Sequence, residues 1–186
     1  MIILSFDVGI KNLAYCIYDS KLKVILDWNI LDCSVNKNEN NILKLIEQLD
    51  FNPQLLDIDL VLIEKQPSFN PQMRIISNCL YVYFTMRIIY EQDRKIRILY
   101  YSPKKKLNLC LQTESYQKNL LILKKRDKTS KSQRYTNNKK AAVEQTISLL
   151  DNSNKFNNLY LNYFNFSKKK DDLADSFLQI ISFLNN

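Results

Sequence analysis

Four carboxylates stand out because each lies at the end of a segment with a strong secondary-structure signal. Asp7 ends an opening strand, Glu64 follows an apolar run, and Asp172 and Asp175 lie three residues apart near the start of the last predicted helix. Helical residues at this spacing project from one face. Carboxylates gathered at one site repel one another unless cations neutralise them, and hard oxygen ligands suit Mg²⁺ or Mn²⁺. Two such ions about 4 Å apart activate water for attack on a phosphodiester.

Each carboxylate also has a simpler explanation that the sequence leaves open. Asp172 and Asp175 are favourable charges at a helix N-terminus whether or not they bind a ligand. Asp7 is also a plausible turn residue before Gly9, and Glu64 is also explained as an exposed strand end. Only a fold that brings the ends of these segments together makes one site of the four side chains.

The first half of the sequence predicts most of a β-sheet. In residues 2–8 the apolar side chains fall on one face, and Ser5 and Asp7 fall on the other. Gly9 then supplies a turn into two further strands, which are most simply antiparallel. The apolar run 60–63 is uninterrupted, which is typical of a buried parallel strand. The predicted strands are 2–8, 13–18, 23–31, 60–63 and 96–101.

Helices are predicted where apolar residues recur at three- and four-residue spacing. The helix over 73–92 is apolar nearly all round, so it needs cover on more than one side, from the sheet alone or partly from a second subunit. Residues 152–167 are predicted to form a polar, Asn-rich and aromatic connection. The other helices are predicted at 39–50, from 136 onward, and at about 171–184.

The order β-β-β-α-β-α-β-α-α is that of a ribonuclease H-like fold. It predicts an α/β structure with a five-stranded mixed sheet flanked by helices, and the length suits a single domain over residues 1–186. In this topology the first and fourth strands are neighbours. A last helix packed across their ends would bring together Asp7, Glu64, Asp172 and Asp175.

Basic residues are concentrated in one stretch of a chain whose net charge is +8. Residues 103–140 contain 12 Lys and Arg against 2 acidic residues. Such a concentration predicts a DNA-contacting segment, although a solvated polar loop has the same composition. The candidate contacts in it are Lys104, Lys105, Lys106, Lys124, Lys125, Arg126, Lys128, Lys131 and Arg134.

Four further residues are candidates near the carboxylates. Lys139 and Lys140 are predicted to approach the scissile phosphate and offset charge in the transition state, unless they are ordinary exposed helix lysines. Gln66 is expected to contact DNA or to orient a carboxylate, and a polar loop residue is the simpler alternative. Lys11 is a candidate DNA contact after the first strand.

Absent and rare residue types exclude several kinds of site. The chain has no histidine, which excludes Ser-His and Cys-His nucleophile pairs and His-Asn-His nucleases. The single glycine disfavours phosphate-cradling loops and an actin-like ATPase. The four cysteines are far apart and are predicted to be reduced packing residues: Cys16, Cys33, Cys79 and Cys110. With no leader and no long apolar run, we expect an intracellular protein.

Three motifs carry a family resemblance. The segments SFDVGIKN (5–12), IEKQP (63–67) and KKDDLADS (169–176) resemble the signatures of RuvC-type Holliday junction resolvases. The sequence is most similar to the branch from poxviruses and related large DNA viruses, which is itself similar to fungal mitochondrial resolvases. For a viral protein this implies action in host cytoplasm during recombination or the processing of genome concatemers, and for a fungal-type protein action in mitochondria.

The resemblance also implies a mechanism. It implies a homodimer that nicks opposing strands of four-way branched DNA, and a catalytic contribution from the lysine pair before Ala141. Asp171 competes with Asp172 as a ligand, but the three-residue spacing to Asp175 favours Asp172. The implied Mg²⁺ ligands, with Mn²⁺ as a substitute, are Asp7, Glu64, Asp172 and Asp175.

Two other functions remain open from the sequence. Another nuclease of the same fold, acting on flaps or RNA–DNA hybrids, would use the same carboxylates, and cleavage of a hybrid against a mobile junction separates the two. A non-catalytic DNA-binding module is the second alternative. It predicts that alanine at Asp7 or Glu64 leaves activity in cells unchanged.

Overall fold

The computed structural model describes residues 1–34, 40–103, 131–151 and 155–185. The strands are β1 (Ile2–Asp7), β2 (Leu13–Asp19), β3 (Val24–Leu31), β4 (Leu60–Glu64) and β5 (Arg97–Tyr101). The helices are α1 (Asn41–Asp50), α2 (Pro71–Phe84), α3 (Lys131–Asp151), α4 (Lys155–Phe166) and α5 (Lys170–Leu184). A 3₁₀ turn (Pro53–Leu56) precedes β4, and a π-helical turn (Thr85–Tyr90) extends α2.

The five strands form one mixed sheet in the order β3-β2-β1-β4-β5. The first three strands are antiparallel neighbours, whereas β4 runs parallel to both β1 and β5. Phe6 is paired with Ile63, so the next residues along the two strands, Asp7 and Glu64, lie at the same edge of the sheet. The structure therefore confirms the predicted α/β fold with its five-stranded mixed sheet.

Each face of the sheet is covered by its own set of helices. Leu4, Phe6 and Val8 pack with α1 and α2 in one core, as the alternation of β1 predicts. The opposite face packs against α3, α4 and α5 in a second core. The polar face of β1 is therefore largely covered: Ser5 is fully buried, and Asp7 at the strand end is partly buried.

The last helix is fastened to the sheet by buried polar contacts as well as by apolar packing. The sole tryptophan, Trp28 on β3, donates from Nε1 to the Leu173 carbonyl and to Ser176 Oγ, both at 3.1 Å. Gln179 Nε2 donates to Ser5 Oγ at 2.9 Å. These bonds hold α5, whose first turns carry the two predicted aspartate ligands, against the strands beneath it.

The structure corrects the prediction for residues 152–167. Most of this stretch is not a connection but helix α4. Phe164 stacks on Trp28 with ring centroids 5.1 Å apart, and the Tyr160 hydroxyl donates to the Leu26 carbonyl at 2.6 Å. Because these two aromatic residues are four apart, they form a helical stripe that the high asparagine content concealed. The preceding helix also starts earlier than predicted, at Lys131 rather than Thr136.

Helix α2 is covered by the sheet on one side only. Its residues Ile76, Leu80 and Phe84 are buried in the first core. A second set of apolar residues on α2 and its π-helical turn, called here the α2 face, is exposed: Ile75 (51%), Val82 (58%), Met86 (47%) and Tyr90 (71%). The sheet thus buries only one side of this helix, whereas its sequence predicts burial on more than one side.

The sequence also predicted reduced cysteines and the absence of a long apolar run. Cys16, Cys33 and Cys79 are free thiols, the first two buried, whereas Cys110 lies outside the described residues. Burial raises the pKa of Cys16 and Cys79, and that of Cys33 to about 11. In the described ranges, no helix has the length and apolar character needed to span a bilayer.

Candidate active site

A cavity of about 530 Å³ opens where β1 and β4 end. Its lining includes all four carboxylates predicted from the sequence: Asp7, Glu64, Asp172 and Asp175. The first two reach it from the carboxyl ends of adjacent strands. The other two reach it from the first turns of α5, which crosses those strand ends. The tertiary structure therefore brings four anionic groups from three segments around one space.

The turn that follows Asp7 depends on glycine. A Cβ atom at Gly9 would lie 2.4 Å from the Asn12 carbonyl oxygen, too close for any side chain. This tight turn folds back against the end of β1, and Lys11 within it also lines the cavity. The only glycine of the chain thus stands where the cavity wall requires close backbone approach.

Gln66 contacts one of the carboxylates directly. Its Nε2 donates to Glu64 Oε2 at 2.9 Å, and it also lies on the cavity lining. The sequence left open whether this glutamine orients a carboxylate or binds DNA. The contact supports the first role, because a hydrogen bond to one carboxylate oxygen restricts the direction in which the other points.

The electrostatics of Asp172 suit a cation. Burial raises the pKa of its carboxyl group, and repulsion from Asp171 and Asp175 adds to the shift, while Lys139 and Lys169 oppose it. A nearby cation would stabilise the ionised form. The donors around the cavity are hard oxygens, which fit Mg²⁺ or Mn²⁺. Among the described residues, however, no three acidic or thiol groups converge into a formed metal-binding set.

Lys139 lies on the cavity wall and is ion-paired with Asp171. Its ammonium group lies 4.9 Å from the centre of the Tyr135 ring. Burial alone lowers the pKa of Lys139, but the hydrogen bonds to Asp171 and Tyr135 outweigh it and raise the pKa overall. For Asp171, burial raises the pKa, and the contact with Lys139 more than reverses this. Both groups are therefore held in their charged forms.

The other predicted residues are divided between three locations. Lys140 lines a second cleft beside the cavity rather than the cavity itself. Lys131 and Arg134 belong to α3, but their side chains are not among those described. The remaining predicted DNA contacts lie outside the described residues: Lys104, Lys105, Lys106, Lys124, Lys125, Arg126 and Lys128.

The chain is similar in sequence to a family of known proteins. Residues 1–126 match the family model described as Poxvirus A22 protein. This chain belongs to the poxvirus A22 protein family. It is also 33% identical over 143 residues to "Uncharacterized protein L451" of Acanthamoeba polyphaga mimivirus, a match that covers 75% of this chain. The chain spans about a third of that relative, 32% of its length.

Solved structures of three resolvases are similar in fold to this A22 family member. The fowlpox virus resolvase in complex with substrate Holliday junction DNA has a TM-score of 0.59 and 22% identity, with 100% of this chain and 97% of that chain covered. The yeast mitochondrial Holliday junction resolvase has a TM-score of 0.59 and 20% identity, with coverages of 98% and 78%. RuvC of T. thermophilus in complex with a Holliday junction substrate has a TM-score of 0.57 and 10% identity, with coverages of 100% and 95%.

These matches confirm the family resemblance drawn from the three motifs. They also confirm the ribonuclease H-like fold class, since the five-stranded mixed sheet with flanking helices matches resolvase structures over nearly the whole chain. The low identities make the structural likeness an argument about fold. Function is argued separately, from the residues around the cavity.

Sequence reasoning missed two contributors to this A22-family site. Tyr135 lines the cavity and supports Lys139, and Gln179 braces α5 from below. Besides its bond to Ser5, Gln179 Nε2 contacts the carbonyl oxygens of Phe6 and Leu62 at 3.3 and 3.2 Å. A signal for Gln179 was present, because a glutamine four residues after Asp175 interrupts the apolar stripe of the helix.

Proposed function

We propose that this chain is a divalent-metal-dependent endonuclease that resolves four-way DNA junctions by paired nicks. The observation that carries the proposal is the cavity at the ends of β1 and β4, lined by Asp7, Glu64, Asp172 and Asp175. Membership of the A22 family and the fold shared with resolvases support the substrate class. We further propose that it acts in host cytoplasm during viral genome processing.

The four carboxylates are proposed to hold Mg²⁺, with Mn²⁺ as a substitute and two ions per site. Bound divalent cations supply activation of water and neutralisation of the leaving oxygen in phosphodiester hydrolysis. Gln66 keeps Glu64 oriented through their hydrogen bond. Lys139, charged because of Asp171, offers positive charge at the cavity wall, where the scissile phosphate accumulates negative charge.

The proposed DNA contacts extend from this cavity. Lys11 lies on its lining, next to the strand end that carries Asp7. The basic segment 103–140 is proposed to contact the arms of the junction, because its charge suits sequence-independent binding to phosphates. That residues 1–186 form one domain stays a prediction.

The α2 face is proposed as the contact surface of a homodimer. It gathers four exposed apolar side chains on one helix, an arrangement that favours burial against a partner. A dimer with twofold symmetry uses the same patch on both subunits, and it presents two active sites to the two equivalent strands of a junction. Such an arrangement suits paired nicking.

The first experiment is a cleavage assay on three labelled substrates: a mobile four-way junction, a matched linear duplex and an RNA–DNA hybrid. With Mg²⁺ the protein should nick opposing strands of the junction symmetrically. Chelator or the substitution Asp7→Asn should abolish cutting. Equal cleavage of duplex or hybrid would move the assignment to another nuclease of this fold, and binding without cutting would indicate a DNA-binding module.

A further inference from the structure

A second cleft of about 510 Å³ adjoins the catalytic cavity. The two spaces share Tyr135 and Lys139, so Lys139 stands at the boundary between them. The cleft is formed by α3 on one side and by the turn between α4 and α5 on the other. It is named here the basic cleft, after the lysines and hydroxyls that line it: Thr136, Lys140, Ser167, Lys168 and Lys170.

Lysines outnumber acidic residues in the lining of the basic cleft by four to two. Of its two acidic residues, Asp171 is paired with Lys139 and Glu144 lies on α3. In the described part of the chain, no salt bridge joins Lys140, Lys168 or Lys170 to a carboxylate. This excess of two positive charges favours an anion in the cleft.

We propose that the basic cleft binds the phosphodiester backbone of the substrate strand where it leaves the catalytic cavity. This inference rests on the proposed nuclease function, because it takes the scissile phosphate to lie in the cavity beside Lys139. A strand that passes Lys139 enters the cleft, where flanking phosphates meet lysine ammonium groups and the Ser167 and Thr136 hydroxyls. Lysine is a compact, flexible charge that binds phosphate without reading bases. The cleft therefore contributes affinity and register, and no sequence preference.

The test compares two double variants that remove equal charge. Lys168→Gln/Lys170→Gln alters the basic cleft. The matched control, Lys21→Gln/Lys95→Gln, alters exposed lysines at the opposite edge of the sheet, since Lys21 follows the strand end paired with Ile2 and Lys95 precedes β5. Both pairs are placed in an Asp7→Asn background so that binding is measured without cutting. Junction affinity is recorded by fluorescence anisotropy over a range of salt concentrations.

We expect the cleft variant to bind the junction more weakly and with a shallower salt dependence. The slope of log affinity against log salt should fall by about two, since each lost phosphate contact removes about one. The control should keep the slope of the Asp7→Asn protein. Equal slopes for the two double variants, with unchanged Trp28 fluorescence to show intact folding, would overturn the proposal.

Cleavage separates this inference from the proposed function. In the catalytically intact chain, the cleft variant should raise KM for the junction while kcat at saturating DNA stays near that of the parent protein. If the parent protein binds junctions without cutting them, the proposed function fails, and the slope comparison still tests the cleft. If the parent cuts junctions and the cleft variant keeps its KM and its slope, only the cleft proposal fails.

Discussion

Asp171 and Asp172 are adjacent in sequence, yet their carboxyl groups have opposite electrostatic surroundings. The pKa of Asp171 is lowered and that of Asp172 is raised. Successive helical residues point about 100° apart, so only one of the two faces the carboxylate cavity. Asp172 lines that cavity, and Asp171 pairs with Lys139 at the basic cleft. Asp172 is thus the candidate ligand of the two, whereas Asp171 is an ion-pair partner of Lys139.

The pairing predicts that Asp171 acts through Lys139. Asp171→Asn and Lys139→Met should each slow cleavage at saturating junction, and the double variant should be no slower than Lys139→Met alone. Residues in direct contact commonly show coupling of roughly 0.5–3 kcal/mol. Mn²⁺ affinity, measured by calorimetry, should be retained in Asp171→Asn and weakened in Asp172→Asn. Additive losses in the double variant would show that Asp171 works independently of Lys139.

At the scale of elements, Gln179 is the buried link between α5 and the strands that carry Asp7 and Glu64. Its Nε2 contacts Ser5 and the carbonyls of Phe6 and Leu62, each two residues or fewer before those carboxylates. The side chain is fully buried, so water cannot replace its hydrogen bonds without a change of structure. The position of α5 over the strand ends therefore depends on this amide.

Gln179→Leu should lower the free energy of unfolding by about 1–3 kcal/mol, because it leaves the buried Ser5 hydroxyl without its donor. Chemical denaturation measures the loss. Adding Ser5→Ala should recover part of it, since removing both polar partners is less costly than removing one. A single variant as stable as the parent protein would mean that the amide does not brace the helix.

The packing of helix α4 against the sheet leads to a second prediction about stability. Phe164 is fully buried and stacks on Trp28, so Phe164→Ala should lower the free energy of unfolding by about 3–5 kcal/mol. Emission from Trp28, the only tryptophan, should shift to the red as solvent reaches it. Phe166→Ala is the matched control, because Phe166 lies on the same helix and is 88% exposed. Equal destabilisation by the two variants would contradict the packing described for α4.

For the whole molecule, the decisive surface is the α2 face. If it joins two subunits, a charge placed at its centre should separate them, because an unpaired carboxylate is costly to bury. Val82→Glu should convert a dimer into a monomer in light scattering and replace paired nicks by single ones. Leu22→Glu is the control, since Leu22 is 65% exposed in the turn between β2 and β3. A dimer that persists in Val82→Glu would place the interface elsewhere.

Local patterns in the sequence were sufficient to predict the sheet, most of the helices and the four carboxylates. Alternation in β1, the uninterrupted apolar run of β4 and the three-residue spacing of Asp172 and Asp175 depend only on backbone periodicity. Gly9 indicated the turn after Asp7 for an equally local reason, because glycine has no side chain. Each of these features depends on one segment alone, so the sequence of that segment is enough to predict it.

Other features depended on which segments pack against each other, and only the tertiary structure decided them. Helix α4 is stabilised by stacking on Trp28, which is distant in the sequence. The asparagine-rich sequence of α4 alone therefore did not predict the helix. The partnership of Asp171 with Lys139 and the place of Lys140 in the basic cleft join residues from different helices. A contact between distant segments produces no periodic pattern in the sequence. Such contacts are decided by burial and charge pairing once the chain has folded.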